Sequence, residues 1–180
     1  MRGGSLVGHR YRVLVEASTH HLAQLNVARL RAPLTSPLLS DFVAALEPVN
    51  ALADSSPGFV WRLQTADGDA TTIQAFDDDR IIVNMSVWTS VRALGDFVYR
   101  SRHAEVMRRR REWFEQMAEV FVVLWWIPAG HVPTVAEAKE RLALLEANGP
   151  GLDAFTFRAP FAAPGSSDAA TPRADDLCGV

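Results

Sequence analysis

Ile81-Ile82-Val83-Asn84-Met85-Ser86-Val87-Trp88 is the stretch that decides how the rest of the chain is read. Val83, Met85 and Val87 alternate with Asn84, Ser86 and Trp88, the period of a β-strand that sends successive side chains to opposite faces. Both faces carry large apolar groups, so both need cover. Toward the C-terminus, Thr89 or Ser90 can cap a segment that keeps helical spacing to about Met117, with an interruption near Ser101. Toward the N-terminus, an acidic connection with Asp77, Asp78 and Asp79 and a turn at Asp67-Gly68 lead back to residues 59–64, a short strand rich in β-formers.

Farther out, residues 20–30 alternate Leu22, Gln24 and Asn26 against Ala23, Leu25 and Val27, a second half-buried strand. Leu39, Phe42, Leu46, Val49 and Ala53 recur at helical spacing after Ser36 and Pro37; Pro48 removes an amide donor inside that helix, and Ser55-Ser56-Pro57-Gly58 ends it. Downstream, residues 120–127 form a fourth strand, on which Trp125 and Trp126 must face opposite ways. Thr134 and Glu137 spell a capping box, Val135, Ala138, Leu142 and Leu145 mark a packing face, and Asn148-Gly149-Pro150 stops the helix. Residues 154–157 complete the series as an edge strand. The order β-α-β-β-α-β, then α-β, is the split βαβ of ferredoxin-like α+β domains with a C-terminal helix and edge strand. The helices of that core cover one sheet face only, which predicts a homodimer formed by packing the other faces together.

Composition bounds the function. The chain has 180 residues, 48% hydrophobic and 22% charged, with a net charge of −3. That is one globular domain without the basic excess of a nucleic-acid binder. The longest apolar run, residues 120–128, is far short of the roughly twenty residues of a spanning helix, so no membrane partner is expected. Cys178 is the only cysteine, which excludes an internal disulfide and any cysteine zinc cage and makes the reducing cytoplasm the expected location. Residues 1–18 lack a clean period and read as a disordered leader, 19–161 as the single folded domain, and 162–180, rich in Gly, Ser, Ala, Pro and Asp, as a disordered tail.

Candidate chemistry gathers on few residues. At 100° per residue from His103, Met107, Arg110 and Phe114 share one stripe, whereas Arg108 and Arg109 point away. A buried Arg110 needs a carboxylate or an anionic ligand. His103 reads as a core histidine, a general base, or a metal or haem ligand. Gln24 and Asn26 share one face of the first strand, and Asn84 and Ser86 share one face of the third with Trp88. If those faces look toward His103, with Trp61, Met107 and Phe114 as further wall, they enclose an apolar cavity with a few convergent polar groups, the usual form of a small-molecule site. No spacing of His, Cys, Asp or Glu supports a metal site.

The stretches His21-Leu22-Ala23-Gln24-Leu25-Asn26, Pro57-Gly58-Phe59-Val60-Trp61-Arg62-Leu63, Val83-Asn84-Met85-Ser86-Val87-Trp88, His103-Ala104-Glu105-Val106 with Arg110-Arg111-Glu112-Trp113-Phe114, and Trp125-Trp126-Ile127-Pro128-Ala129-Gly130-His131 resemble the uncharacterised family DUF3291. The resemblance is collinear over residues 19–161. It implies the dimeric α+β barrel superfamily, with its antibiotic-biosynthesis monooxygenases and haem-degrading oxygenases. The latter place an Asn on the first strand, a Trp at the end of the third and a His on the second helix, where this chain has Asn26, Trp88 and His103. The implied function is a monooxygenase-like oxidoreductase of secondary metabolism acting on an aromatic or polyketide-like substrate. It works either without cofactor or with haem held by His103. In the first version His103 takes a substrate proton, Asn26 and Asn84 hold an enolate or bound oxygen, and Arg110 holds a carboxylate or phenolate. The other reading is a non-catalytic small-molecule-binding or interaction module.

Overall fold

The computed structural model describes residues 19–117 and 121–166. The expected leader, most of the expected tail and Cys178 lie outside them. The elements are β1 (His20–Arg29), α1 (Ser40–Asp54) entered through a 3₁₀ turn, β2 (Phe59–Arg62), β3 (Ile81–Trp88), α2 (Val91–Arg100), α3 (His103–Trp113), β4 (Val122–Pro128) and α4 (Val135–Asn148). The strands pair in the order β2-β3-β1-β4, antiparallel throughout. This is the α+β, split βαβ arrangement expected from the sequence. No described helix is long and apolar enough to cross a membrane.

Local signals set the boundaries. Ser36 accepts the Leu38 amide and Ser90 the Ala93 amide, capping the turn into α1 and the start of α2. Pro48 sits inside α1. The helix after β3 breaks where expected, at Ser101, whose hydroxyl donates to the Phe97 carbonyl and accepts the His103 amide. Thr134 accepts the Glu137 amide at 3.1 Å, and Gly149 ends α4 at φ 73°, a backbone region that favours glycine. The expected fifth strand contracts to one bridge: Leu124 and Phe155 exchange both backbone hydrogen bonds along the β4 edge.

The sheet is apolar on both sides. Leu22, Trp88 and Leu124 pack under Ala53 of α1 and under Val91 and Leu94 of α2, with Phe155 alongside. Ala23, Leu25, Val27, Val83, Met85, Val87, Val123, Trp125 and Ile127 form the opposite layer, and Trp125 and Trp126 do lie in different layers. Here the expectation about cover needs correcting. Ala138 and Leu145 of α4, with Ile73, Ala75 and Phe76 of the β2–β3 connection, close over this second face within one chain. Leu25, Met85, Val87 and Trp125 are essentially inaccessible as a result. An uncovered face therefore no longer argues for a second copy.

Glu137 anchors this cover. Instead of completing the capping box on Thr134, its carboxylate accepts the Trp125 indole N–H at 2.9 Å and contacts His131 Nε2 at 2.8 Å. Desolvation would raise its carboxyl pKa, but the hydrogen bonds from His131 and Trp125 outweigh that and hold it below the usual range. The buried indole thus gains an ionised acceptor at the first turn of α4, where a negative charge also suits the helix dipole.

The phase of α3 is the second correction. Its buried line runs through Val106 and Trp113, about 70° round from the stripe expected through His103, Met107 and Arg110. Phe114 leaves the helix in extended conformation and bridges to Leu30, so it cannot lie on a helical stripe at all. Arg110 is exposed, donating to the Met107 carbonyl. Arg109 is the engaged residue. It reaches Asp41 of α1 at 2.7 Å and Glu112 at 2.8 Å, and its guanidinium lies 4.9 Å from the centre of the Trp113 ring.

Two outcomes follow from this packing. Trp113→Ala should destabilise the fold by about 3–5 kcal/mol, as large aromatic truncations do; Arg109→Ala should lower the thermal midpoint and Arg110→Ala should not, which melting curves of the three variants will show. With both sheet faces covered, the chain is expected to sediment at its own mass of 19.8 kDa. Twice that mass would show a second copy docked on other surface.

Candidate functional site

Between the sheet and the α1, α2 and α3 layer lies a cavity of about 50 Å³. Val49, Asn50 and Ala53 come from α1, Phe59 and Arg62 from β2, Asn84, Ser86 and Trp88 from β3, Phe97 from α2 and His103 from the first turn of α3. Its floor is the sheet face that the alternation of β3 predicts.

A buried polar chain stiffens that floor. The Trp88 indole N–H donates to Ser86 Oγ at 2.9 Å, and Ser86 Oγ lies 2.9 Å from Gln24 Oε1 across the β1–β3 pair. An indole nitrogen only donates, so Ser86 accepts from Trp88 and its single proton goes to Gln24. Gln24 and Ser86, at 7% and 6% exposure, each give the other a partner that burial would otherwise deny. Facing the cavity, Ser86 is left as an acceptor only.

His103 supplies the titratable group. Its Nδ1 lies 3.3 Å from the Val98 carbonyl, which can only accept, so Nδ1 carries the proton and Nε2 carries the lone pair. Among the described residues no hydrogen bond is made to Nε2. Burial pushes the imidazole pKa below its ordinary value, and the bond to Val98 opposes this only in part. The neutral ring lies tilted by 34° against Phe97 at 4.8 Å between centroids, and Phe97 in turn stacks on Trp88 at 5.1 Å.

Arg62 is the cation of the cavity. Its Nε and one terminal nitrogen fork onto Asp54 at 2.8 and 3.2 Å, and the other terminal nitrogen donates to the Gly68 carbonyl at 2.7 Å. Its side chain is only 12% exposed. A bulge puts it there: Phe59 pairs with Trp88 and Trp61 with Val87, two steps against one, so Phe59 and Arg62 both face the helices.

Of the residues singled out from sequence, His103, Asn84, Ser86 and Trp88 meet at this cavity. Asn84 stands exposed at its mouth. Gln24 supports Ser86 from below, and Asn26 pairs with Asn84 in the sheet without lining the cavity. Trp61 packs in the opposite layer, on the α4 side. Met107 is half-buried on α3, Phe114 stands edge-on to Phe42 at 5.1 Å, and Arg110 is in solvent; none of the three lines the cavity. Sequence reasoning missed Asn50, Phe59, Arg62 and Phe97. Asn50 had a signal, being a polar residue beside Val49 and Ala53 on an otherwise apolar helix face. Arg62 had none, because strict alternation assigns it the wrong side.

A haem does not fit this arrangement. A porphyrin beside His103 would displace Trp88 and Phe97, which are stacked on each other.

Solved structures with a similar outline are distant. A protein of unknown function from Nitrosomonas europaea has 13% identity and a TM-score of 0.39, covering 64% of this chain and 97% of its own. A candidate antibiotic biosynthesis monooxygenase from the same organism has 11% identity and a TM-score of 0.42, covering 64% and 95%. SnoaB, a cofactor-independent oxygenase from Streptomyces nogalater, has 15% identity and a TM-score of 0.38, covering 64% and 97%. These distant neighbours include monooxygenase-like proteins, at identities that carry no activity across. No curated protein matches the chain. The match that covers it is to a family described as Domain of unknown function, DUF3291, over residues 21–171, and with most of its length inside that match the chain belongs to the DUF3291 family.

Proposed function

We propose that the cavity is the active site of a monooxygenase-like oxidoreductase that works without a cofactor on an aromatic or polyketide-like substrate of secondary metabolism. The observation that carries this reading is His103: a half-buried, neutral imidazole whose Nδ1 is committed to Val98 and whose Nε2 accepts no hydrogen bond among the described residues, at a cavity walled by Trp88 and Phe97. That is the state a general base needs near neutral pH. A substrate with an activated CH₂ gives a proton to Nε2, and the resulting anion reduces O₂. One oxygen atom stays on the carbon as C=O, the other leaves as water with both hydrogens, and the two broken C–H bonds supply the four electrons. Asn84, at the mouth, donates its amide N–H to the enolate oxygen as charge develops there. The cavity takes the reacting end of the substrate and leaves the rest at the mouth.

The small volume and the exposure of Asn84 favour a second reading, a non-catalytic module that sequesters a small molecule. Oxygen uptake separates the two. With an anthrone as substrate, the enzyme is expected to consume one O₂ per molecule oxidised, and His103→Gln to lose at least about 100-fold in rate. No uptake, together with a small molecule retained in native mass spectra of protein taken from its producing cells, would establish the binding module instead.

His103 also predicts how stability follows pH. Its folded pKa lies below the unfolded value near 6.5. The unfolded chain therefore binds the proton first as pH falls. Stability is full above about pH 6.5, declines as pH drops through the window between the two values, and levels off beneath the folded one. Denaturant midpoints of the parent and of His103→Gln, followed from neutral to mildly acidic pH, should converge as pH falls; a constant gap would mean that His103 does not titrate differently on folding.

A further inference from the structure

We propose that Arg62 is an oxyanion-holding residue of the cavity, acting beside Asn84, and that the ligand it serves presents a phenolic hydroxyl rather than a carboxylate. The inference rests on the reading of this cavity as the binding site and adds the chemistry of what enters it. Protons in the lining discriminate between ligands: the Asn50 and Asn84 amides both donate and accept and so favour none, whereas Ser86, His103 and Arg62 each offer one role. Ser86 has one, and Gln24 takes it, so toward the cavity Ser86 only accepts. His103 Nε2 likewise only accepts. Both need a ligand that arrives carrying a proton. Arg62 only donates: of its five N–H groups, one on Nε and one on a terminal nitrogen go to Asp54 and one on the other terminal nitrogen to Gly68, which leaves two. Its charge is paired with Asp54, and the two remaining N–H groups take a ligand oxygen.

One group serves these residues. A hydroxyl hydrogen-bonds to Ser86 or to Nε2 while its oxygen accepts from Arg62, the neighbour of Ser86 across the β2–β3 pair; with the hydroxyl on Ser86, Nε2 keeps its lone pair for the C–H proton of the proposed reaction. A carboxylate at neutral pH brings no proton to the two acceptors. An ammonium donates but offers the Arg62 N–H groups no acceptor, and an ether has no proton at all. The ring is indicated by what lies around these polar atoms, since Phe59, Trp88 and Phe97 make the rest of the wall aromatic.

The test uses the full chain and 4-nitrophenol, whose phenolate absorbs in the visible. On binding, the phenol is expected to ionise at a pH lower by about 1, because guanidinium N–H groups bond a phenolate oxygen more strongly than a phenol. 4-Nitrobenzoate, of similar shape but already ionised, should bind at least about tenfold more weakly, and 4-nitroanisole should not bind. Arg62→Gln should abolish the ionisation change and weaken 4-nitrophenol at least tenfold, and Arg62→Lys should restore the ionisation change. Nitrobenzoate binding as tightly as nitrophenol overturns the proposal, and so does an Arg62→Gln variant with parental melting behaviour and unchanged nitrophenol binding. If Arg62→Gln does not fold, the comparison of the three ligands on the parent chain decides alone. Oxygen takes no part in these titrations. Loss of nitrophenol binding in His103→Gln but not in Arg62→Gln would keep the cavity and remove the role of Arg62; binding indifferent to both would remove the cavity as the site.

Discussion

The hydrogen bonding of β1 to β3 on one side and β4 on the other is the constraint on which the other layers depend. A strand in that position is buried on both faces, and neighbouring residues serve different layers: Leu22 packs under the α1–α2 layer and Ala23 under α4. A slip of one residue would exchange every such pair. Gln24 and Ser86 oppose the slip directly. They are the buried polar residues among those described, and they satisfy each other only in the observed register. The same pair fixes the indole of Trp88, so the register of the sheet and the floor of the cavity are settled by one set of hydrogen bonds.

The second layer departs from a sheet with one helical face. α4 returns across β4 and β1, and the β2–β3 connection closes the remainder, so surface that would otherwise require a partner is internal. Glu137 makes this docking specific. Its carboxylate joins the first turn of α4 to a fully buried indole on β4 and to His131 in the connecting loop. An apolar residue there would leave the Trp125 N–H without an acceptor, at a cost of about 1–3 kcal/mol.

The site layer is assembled from five elements, and its polar atoms are unevenly committed. The Trp88 indole, the Ser86 proton and the Nδ1 side of His103 are spent on internal partners, whereas one lone pair of Ser86, His103 Nε2 and part of Arg62 are not. Groups with spent partners hold geometry; groups with open valence meet ligand. The ring contacts Trp88–Phe97–His103 couple the sheet to the break between α2 and α3, which places the imidazole without a hydrogen bond from the sheet itself.

Local rules determined much of this protein from sequence. The alternation of β1 and β3, the Ser90 cap, the break at Ser101, the capping residue Thr134 and the stop at Gly149 depend on neighbours within a few residues, and they appear where composition and spacing put them. The face shared by Asn84, Ser86 and Trp88 belongs to the same class, because strand geometry alone dictates it. Tertiary structure decided the rest. The phase of α3 followed Val106 and Trp113 seeking Leu30 and Phe42, contacts between residues far apart in sequence that outweigh an idealised helical wheel. The cover of the second sheet face depended on where α4 docks, and the choice of Arg62 over Arg110 depended on a bulge visible only once β2 pairs with β3. A periodic pattern records which residues avoid water; it does not record which partner shields them, and that partner is chosen by packing across the whole chain.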